Sequence, residues 1–415
     1  MPELFTVVSP DEAFERLRAR LSPDPRAEHV PLEHALGRTL ARSIVAGESL
    51  PAFARSAMDG YAVRARETHG ASEGSPIYLR LIGEVSMGVI PEMTLAPGTC
   101  MRIHTGAALP RGADAVVMVE ETNLLDGGEV EVLSSVAVGE DVVQLGEDIT
   151  AGTTALERGH RLRAVDIGAL AALGITAVPV APRPRVAVIS TGDELVPPDV
   201  HPSPGEIRDV NGPLICAMLQ GAGADARHCG IIEDDERHLF AAAAAALADN
   251  DVVVVTAGSS VSARDNTVRA LERLGAPGIL LHGVAVKPGK PTIVACAGTK
   301  PVFGLPGNPV SAAVLCWRLV VPAVRFLQGA PVPEGGLPAP VGSARLAQNV
   351  PSRSGREDYV AVNLARGTDG LLVAEPVFVR SNLIFSLARA GSFVRVPRDA
   401  GGLRAGEMVE VYAWS

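Results

Sequence analysis

Aromatic side chains make up only 4% of this 415-residue chain, too few for a surface that stacks on nucleic-acid bases. Basic residues are outnumbered as well. Against 47 Asp and Glu stand 37 Lys and Arg, for a formal charge of −10, which argues against a nucleic-acid groove or a polybasic membrane contact. The five cysteines, at 100, 216, 229, 296 and 316, form no C-x-x-C; an odd count without that spacing fits neither a disulfide framework nor a structural zinc site and points to a reducing compartment. G-x-x-x-x-G-K-[ST], G-x-S-x-G and H-E-x-x-H are all missing, which disfavours a P-loop ATPase, an α/β-hydrolase and a zincin. The nine histidines are scattered without metal-ligand spacing. The opening MPELFTVVSPDEAF carries acids where a signal peptide has positive charge. The longest apolar run, Leu239 to Ala248, falls short of the ~20 residues of a membrane span. A cytoplasmic chain without membrane or nucleic-acid partners is expected.

At about 150 residues per domain the length predicts two to four domains. Ser9, Pro10 and Glu12 form a capping-box spacing, and Phe14, Leu17 and Leu21 follow at helical intervals. Leu32, Leu36 and Leu40 predict a second short helix, interrupted by Gly37. From Pro51 to Pro110 short runs of β-formers, among them Ile77 to Val85 and Cys100 to His104, alternate with Gly and Pro and read as a β-rich insert. Helical pattern returns at Ala164 to Leu173, so the flanks of the insert are expected to form one discontinuous domain.

After Pro184 the pattern changes. RVAVIS, VVVVT, Gly278 to Val286, TIVACA and PVFGL alternate with helical segments such as Gly212 to Leu219 and Glu236 to Ala248. Continuous apolar strands alternating with helices predict a parallel sheet covered on both faces, with ligands at the carboxyl ends of its strands. A helix running to about Leu327, a linker QGAPVPEGGLPAP and a small β domain complete the expected chain.

Three strand ends carry conspicuous loops. In STGDEL, Thr191, Gly192, Asp193 and Glu194 offer a hydroxyl, free amides and two carboxylates, suited to a metal-bound phosphate or to an acidic helix start. In TAGSSVSARD, Gly258, Ser259 and Ser260 allow a phosphate to approach the backbone, with Asp265 close behind. In LPGNP, Asn308 is placed to cap the following helix, whose N-terminus can also hold an anion. Lys287 and Lys290 sit in the turn VKPGKP, either solvated or directed together into an anion pocket.

Five segments together resemble the molybdopterin molybdenumtransferase family, the bacterial MoeA proteins and the gephyrin E domain. They are SAMDGYA at Ser56 to Ala62; His104-Thr105-Gly106-Ala107 continuing through Pro110, Gly112 and Asp114 to Val117; Gly146-Glu147-Asp148; STGDEL with Ile207-Arg208-Asp209 and Asn211; and KPGKP with GLPGNPVSA. Their order spans most of the chain. The resemblance implies a multidomain α/β protein: a helical connecting domain (1–50 and 143–180), a β-rich insert (51–142), a three-layer α/β molybdopterin-binding domain (181–328) and a small C-terminal β domain (329–415). It implies a homodimer in which the insert of one subunit reaches the α/β domain of the other. Asp59, Thr105 and Asp148 would then line one cleft with Glu194, Asp265, Lys287 and Lys290, the catalytic set. Thr191, Gly192, Asn211, Gly258, Ser259, Ser260, Pro306, Gly307, Asn308, Arg356 and Ser381 would bind the ligand. The sequence departs from the family at Ala257 and Ser262, where many relatives have glycine, and at Val360 and Ala361, where a basic residue is common.

The implied reaction takes adenylylated molybdopterin and molybdate, cleaves the phosphoanhydride with release of AMP, and leaves molybdenum on the dithiolene sulfurs. Clustered carboxylates repel phosphates, so a bridging cation is expected, Mg²⁺ on Glu194 and Asp265. Lys287, Lys290, Arg356 and Ser381 suit molybdate. Tungstate insertion, the preceding adenylyl transfer and a gephyrin-like scaffold are the alternatives. Other cofactor-synthesis enzymes and recipient molybdoenzymes are the expected partners.

Overall fold

The computed structural model describes residues 7–24, 26–257, 261–378 and 380–414, apart from the side chains of 261–264. Ser9 caps the first helix, Pro10–Arg18, by accepting the Glu12 amide at 3.1 Å. The apolar spacing behind that cap then decides where the helix goes. Phe14 and Leu17 are fully buried in the same core as Val186, Val294 and Trp317, so the helix packs on the α/β unit and not on the connecting domain expected for residues 1–50.

The connecting segments themselves are mostly extended. Glu28–Pro31 pairs with Ala177–Val180, and Ile44–Val45 with Thr154–Leu156. Ala164–Ala172 is the one α-helix there among the described residues. The expected Leu32 to Leu40 helix is a single 3-10 turn, Leu32–His34, because Gly37 turns the chain at φ +73° and Thr39 and Leu40 then bridge to Arg161 and Val180. Helical spacing of leucines does not survive a left-handed residue in its middle.

The insert is built on a six-stranded sheet, in the order Ala115–Met118, Gly60–Val63, Thr99–Ile103, Ile77–Val85, Glu129–Val132, Thr122–Leu124. Tyr61 and Val63 enter one core and Ala62 another, as period-2 alternation requires.

The α/β sheet has the order Asp225–Ile232, Arg185–Thr191, Val252–Ala257, Lys300–Pro306, Ile293–Ala297, Pro277–His282. Its first four strands are parallel, but Ile293–Ala297 is antiparallel to both neighbours, so the sheet is mixed where a parallel one was expected. This reversal matters for the site. The chain leaves Pro277–His282 and enters Ile293–Ala297 at the edge where the parallel strands end, which brings the lysine turn to the ligand-binding edge. Val186, Val188, Val252 and Val254 face one core while Ala187, Ile189, Val253 and Val255 face the other. Burial on both faces is why these strands are apolar throughout.

The 19-residue segment Pro309–Leu327 is helical, with a π turn at Cys316–Val320. It is apolar enough to cross a membrane, yet 89% of its apolar window is buried inside the protein. The segment read as a linker is likewise packed. Gly335 and Gly336 have φ +70° and +74°, and a Cβ on Gly336 would lie 2.6 Å from the Phe14 ring, so glycine there lets the strap close over the first helix.

In the C-terminal unit Glu357–Arg366 pairs with both Leu372–Pro376 and Ser392–Val396, and the sheet closes through Gly342–Leu346 and Met408–Tyr412. Closure removes the edges of that ring of strands. Trp317 of the long helix meets Phe393 of the barrel edge-to-face at 4.6 Å, with Tyr359 and Tyr412 close by. The α/β unit and the barrel therefore share one core.

Arg318 is fully buried at this junction. Its Nε donates to Tyr359 Oη at 3.0 Å and its Nη1 to the Gly335 carbonyl at 2.7 Å, while Nη2 binds Asp11. Removing one partner from a buried charged network costs about 3 kcal/mol or more. Arg318→Met is expected to lower the unfolding free energy measured by urea denaturation by that amount; an unchanged value would show the network to be dispensable.

Candidate functional site

Lys287 and Lys290 are exposed on a turn locked from below. Val284 and Thr292 amides both donate to the Lys290 carbonyl at 2.9 Å, and Thr292 Oγ1 donates to the Gly289 carbonyl at 2.7 Å. A Cβ on Gly289 would stand 1.9 Å from Leu315 Cδ2, so only glycine lets the turn settle against the long helix. The turn lines a cleft of about 1020 Å³ between the α/β unit and the barrel, together with Pro306, Asn308, Arg353, Arg356, Arg380 and Ser381. Five cations, Lys287, Lys290, Arg353, Arg356 and Arg380, and one carboxylate, Asp358, stand among its lining residues. Such a wall attracts a multiply charged anion.

Asn308 occupies the N-cap of the helix that follows it, but its side chain makes no capping bond; it lines the cleft instead of capping, the role expected for it. Ser381 is placed by its own carbonyl, which accepts the Val310 amide at 3.1 Å. Gly307 is tied to the neighbouring loop, since Asn211 Nδ2 donates to its carbonyl at 2.7 Å. Asn211 Oδ1 is buried without a partner among the described residues. The amide thus positions the Pro306 to Asn308 turn.

At the end of Arg185–Thr191, a polar network anchors the next loop. Ser190 Oγ donates to Asp209 Oδ2 at 2.6 Å, with His228 Nε2 at 3.2 Å from both, and Asp209 Oδ1 accepts the Asn211 and Gly212 amides. Burial opposes the charge of Asp209, but bonds from His228, Ser190 and the Gly212 amide outweigh it and hold the carboxyl below its ordinary range. Thr191 is buried and its hydroxyl donates to Asp234 at 2.8 Å, so the side chain builds the wall and is not free for a ligand. Asp193 is likewise engaged, accepting the Asp234 amide at 3.0 Å.

Glu194 is exposed at the same turn. A Cβ on Gly192 would lie 2.7 Å from Glu194 Oε2, so the missing side chain leaves room for the carboxylate over the turn. Asp265 lies on Val261–Glu272, the helix that follows Val252–Ala257, the strand paired directly with Arg185–Thr191. Gly258, Ser259 and Ser260 lie outside the described residues, as does the side chain of Ser262; Ala257 ends its strand, paired with Pro306. Among the described residues no three His, Cys, Asp or Glu are grouped to hold a metal. Two carboxylates fit Mg²⁺ in the mode where substrate phosphates and water complete the shell.

Asp59 and Thr105 meet in the insert, where the Thr105 amide donates to Asp59 Oδ1 at 2.9 Å. That bond chiefly holds the Asp59 carboxyl below its ordinary range. His104, unassigned from sequence, stands 3.4 Å from Asp59 Oδ1 and 2.6 Å from Glu84 Oε1, and the Glu84 contact chiefly raises its pKa. Asp148 is exposed, its amide donating to the Leu50 carbonyl at 3.0 Å. Among the described residues no hydrogen bond or ion pair joins Asp59, Thr105 or Asp148 to the α/β unit, and the cation-lined cleft draws nothing from the insert.

An α/β ligand-binding unit, sharing an anion-attracting cleft with a small barrel and carrying a β insert, defines the class. The chain belongs to the MoeA family: residues 8–174 match the model of the "MoeA N-terminal region (domain I and II)", 187–325 the "Probable molybdopterin binding domain", and 343–414 the "MoeA C-terminal region (domain IV)". It is 35% identical over 407 residues to the molybdopterin molybdenumtransferase 2 of Mycobacterium tuberculosis, covering 97% of this chain and 98% of that one. With the molybdopterin molybdenumtransferase of Bacillus subtilis it shares 34% over 415 residues, 99% and 95% of the two chains. A solved molybdopterin biosynthesis MoeA protein from Pyrococcus horikosii is 36% identical with a TM-score of 0.76, over 99% of this chain and 100% of that one.

The Asp209 network makes a pH-dependent contribution. A depressed folded pKa gives stability that is present above the unfolded value, about 3.9, and is lost as pH falls through the folded one. Asp209→Asn is expected to cost about 1–3 kcal/mol at pH 7 and to flatten the decline of the urea midpoint below about pH 4. A variant that follows the wild-type acid profile would show that another carboxylate sets it.

Proposed function

We propose that this chain is a cytoplasmic molybdopterin molybdenumtransferase that inserts molybdate into adenylylated molybdopterin. The observation that carries the reading is the cleft wall of five cations and one carboxylate, on a chain whose full-length relatives bear that enzyme's name. In the reaction a water oxygen bonds to phosphorus as the phosphoanhydride P–O bond breaks and AMP leaves, and two Mo–S bonds form as one molybdate oxygen departs as water with the two thiol protons. Molybdenum keeps its oxidation state. Lys287, Lys290, Arg356 and Ser381 hold the oxyanion through charge-assisted donors. The strand-end loops around Gly192 and Asn211, with Gly258 to Ser260, hold the organic substrate. Glu194 and Asp265 would bind Mg²⁺, which supplies charge neutralisation at the phosphates when bound. Tungstate has nearly the size and charge of molybdate and competes for the same donors.

Asp59, Thr105 and Asp148 are exposed and complete the site from a second subunit. Mixing Asp59→Ala with Glu194→Ala subunits is expected to restore part of the activity, because one site of the mixed dimer regains both carboxylates. Background activity after verified subunit exchange would refute the shared site.

Loss of one charge-assisted contact weakens binding by about 10- to 100-fold. Lys290→Ala is therefore expected to raise the half-saturating molybdate concentration by that factor while affinity for adenylylated molybdopterin holds. The reverse pattern would assign the lysines to the phosphates.

A further inference from the structure

Strand Glu357–Arg366 separates two sets of side chains by its alternation. Glu357 and Tyr359 face the buried junction, where Tyr359 Oη donates to Glu357 Oε2 at 2.6 Å, Arg318 donates to Tyr359, and Arg395 Nη1 lies 3.3 Å from Glu357 Oε1. Arg356 and Asp358 alternate with them and line the cleft, whose wall Tyr359 also touches while Glu357 does not. The side chain of Asp358 is 4% exposed, yet both of its oxygens meet cations. Arg356 donates from Nε to Oδ1 at 2.8 Å and from Nη2 to Oδ2 at 3.2 Å, and Lys287 Nζ stands 3.7 Å from Oδ2.

The two cations come from different units. Lys287 belongs to the α/β unit, and its short strand Val286–Lys287 adds to the barrel sheet in parallel, with Lys287 opposite Asp358 and the Glu357 amide donating to the Ala285 carbonyl at 2.9 Å. Backbone pairing therefore sets Lys287 opposite Asp358, while the Arg318 junction fixes which way the carboxylate faces.

We propose that Asp358 is the positioning residue of the oxyanion site, holding Arg356 and Lys287 so that their remaining donors face the ligand. The proposal rests on the reading of this cleft as the molybdate site. A guanidinium has five N–H donors; two are engaged by Asp358, and three remain for an oxyanion or water. Lys287 is 60% exposed at its side chain, so without Asp358 the ligand itself must order a long flexible cation, at an entropic cost. Electrostatics alone argues the opposite sign. A carboxylate beside an anion site repels the anion, and its removal should tighten binding. The sign of the effect thus separates positioning from charge.

The test is a molybdate titration of insertion by the full-length protein, with Asp358→Asn, Asp358→Glu, Lys290→Ala and Arg356→Ala measured beside wild type. Asp358→Asn is expected to raise the half-saturating molybdate concentration about tenfold, with kcat at saturating molybdate and affinity for adenylylated molybdopterin near wild type. Asp358→Glu, which restores the charge with a longer reach, is expected to recover part of the loss. Should Asp358→Asn not fold, Asp358→Ser takes its place, and a half-saturation point equal to or below wild type in the charge-removing variant overturns the positioning role. If Lys290→Ala and Arg356→Ala weaken molybdate dependence while Asp358→Asn strengthens it, the cleft reading stands and the Asp358 proposal falls. If none of the four variants shifts the molybdate requirement, both fall.

Discussion

One fully buried guanidinium holds four separate pieces of the chain in register. Burying an isolated charge costs several kcal/mol, and Arg318 is tolerated because Asp11, the Gly335 carbonyl and Tyr359 receive its donors. These acceptors belong to the first helix, the strap after the long helix and the first barrel strand within the shared core. The π turn Cys316–Val320 carries Arg318, and such turns often mark functional positions within helices. Tyr359 and Glu357 continue the network to Arg395. Because Glu357 and Tyr359 are fixed on one face of their strand, Arg356 and Asp358 are fixed on the other, toward the cleft. A stability contact and a binding surface are two faces of the same four residues.

The parts of this fold that are legible in the sequence are those set by local chemistry. Ser9 with Glu12 announces a helix start, and the valine runs at 252–255 announce strands buried on both sides. What is not legible is set by distant partners. Leu32, Leu36 and Leu40 have helical spacing, but the positive φ at Gly37 and the pairings of Thr39 and Leu40 impose an extended path. QGAPVPEGGLPAP has a linker's composition, but Gly335 and Gly336 use their lack of side chains to pass under Asp11 and Phe14. The same glycine content serves a free linker or a tight crossing, and only the neighbour decides which.

The site divides along the same line. Lysines held by prolines and a glycine signal a shaped turn, and the structure puts them in a cleft with Arg356 and Ser381. A side chain's availability depends on what else is within reach: Asp234 takes the Thr191 hydroxyl, and Asn308 lines the cleft in place of the capping bond its position suggests. Asp358 has no motif of its own. An acid two residues after an arginine on a strand is ordinary until burial and a second cation from another unit make it the counter-charge of the cluster.

Charge is also distributed with a purpose that the net value hides. A chain of formal charge −10 concentrates five cations in one cleft with one carboxylate, while Asp59, Asp148 and Glu194 stand exposed elsewhere. Placed together without a cation, those acids would repel a phosphate-bearing substrate and one another. Kept apart on the surface of a single subunit, they cost little. Under the proposed function they act where a second subunit and a divalent cation would bring them to the same phosphates, and the cationic cleft at the barrel junction would receive the oxyanion apart from that metal. Two anionic reactants of one reaction need such separated electrostatics, because a single cation-rich pocket would bind whichever anion is more abundant and exclude the other.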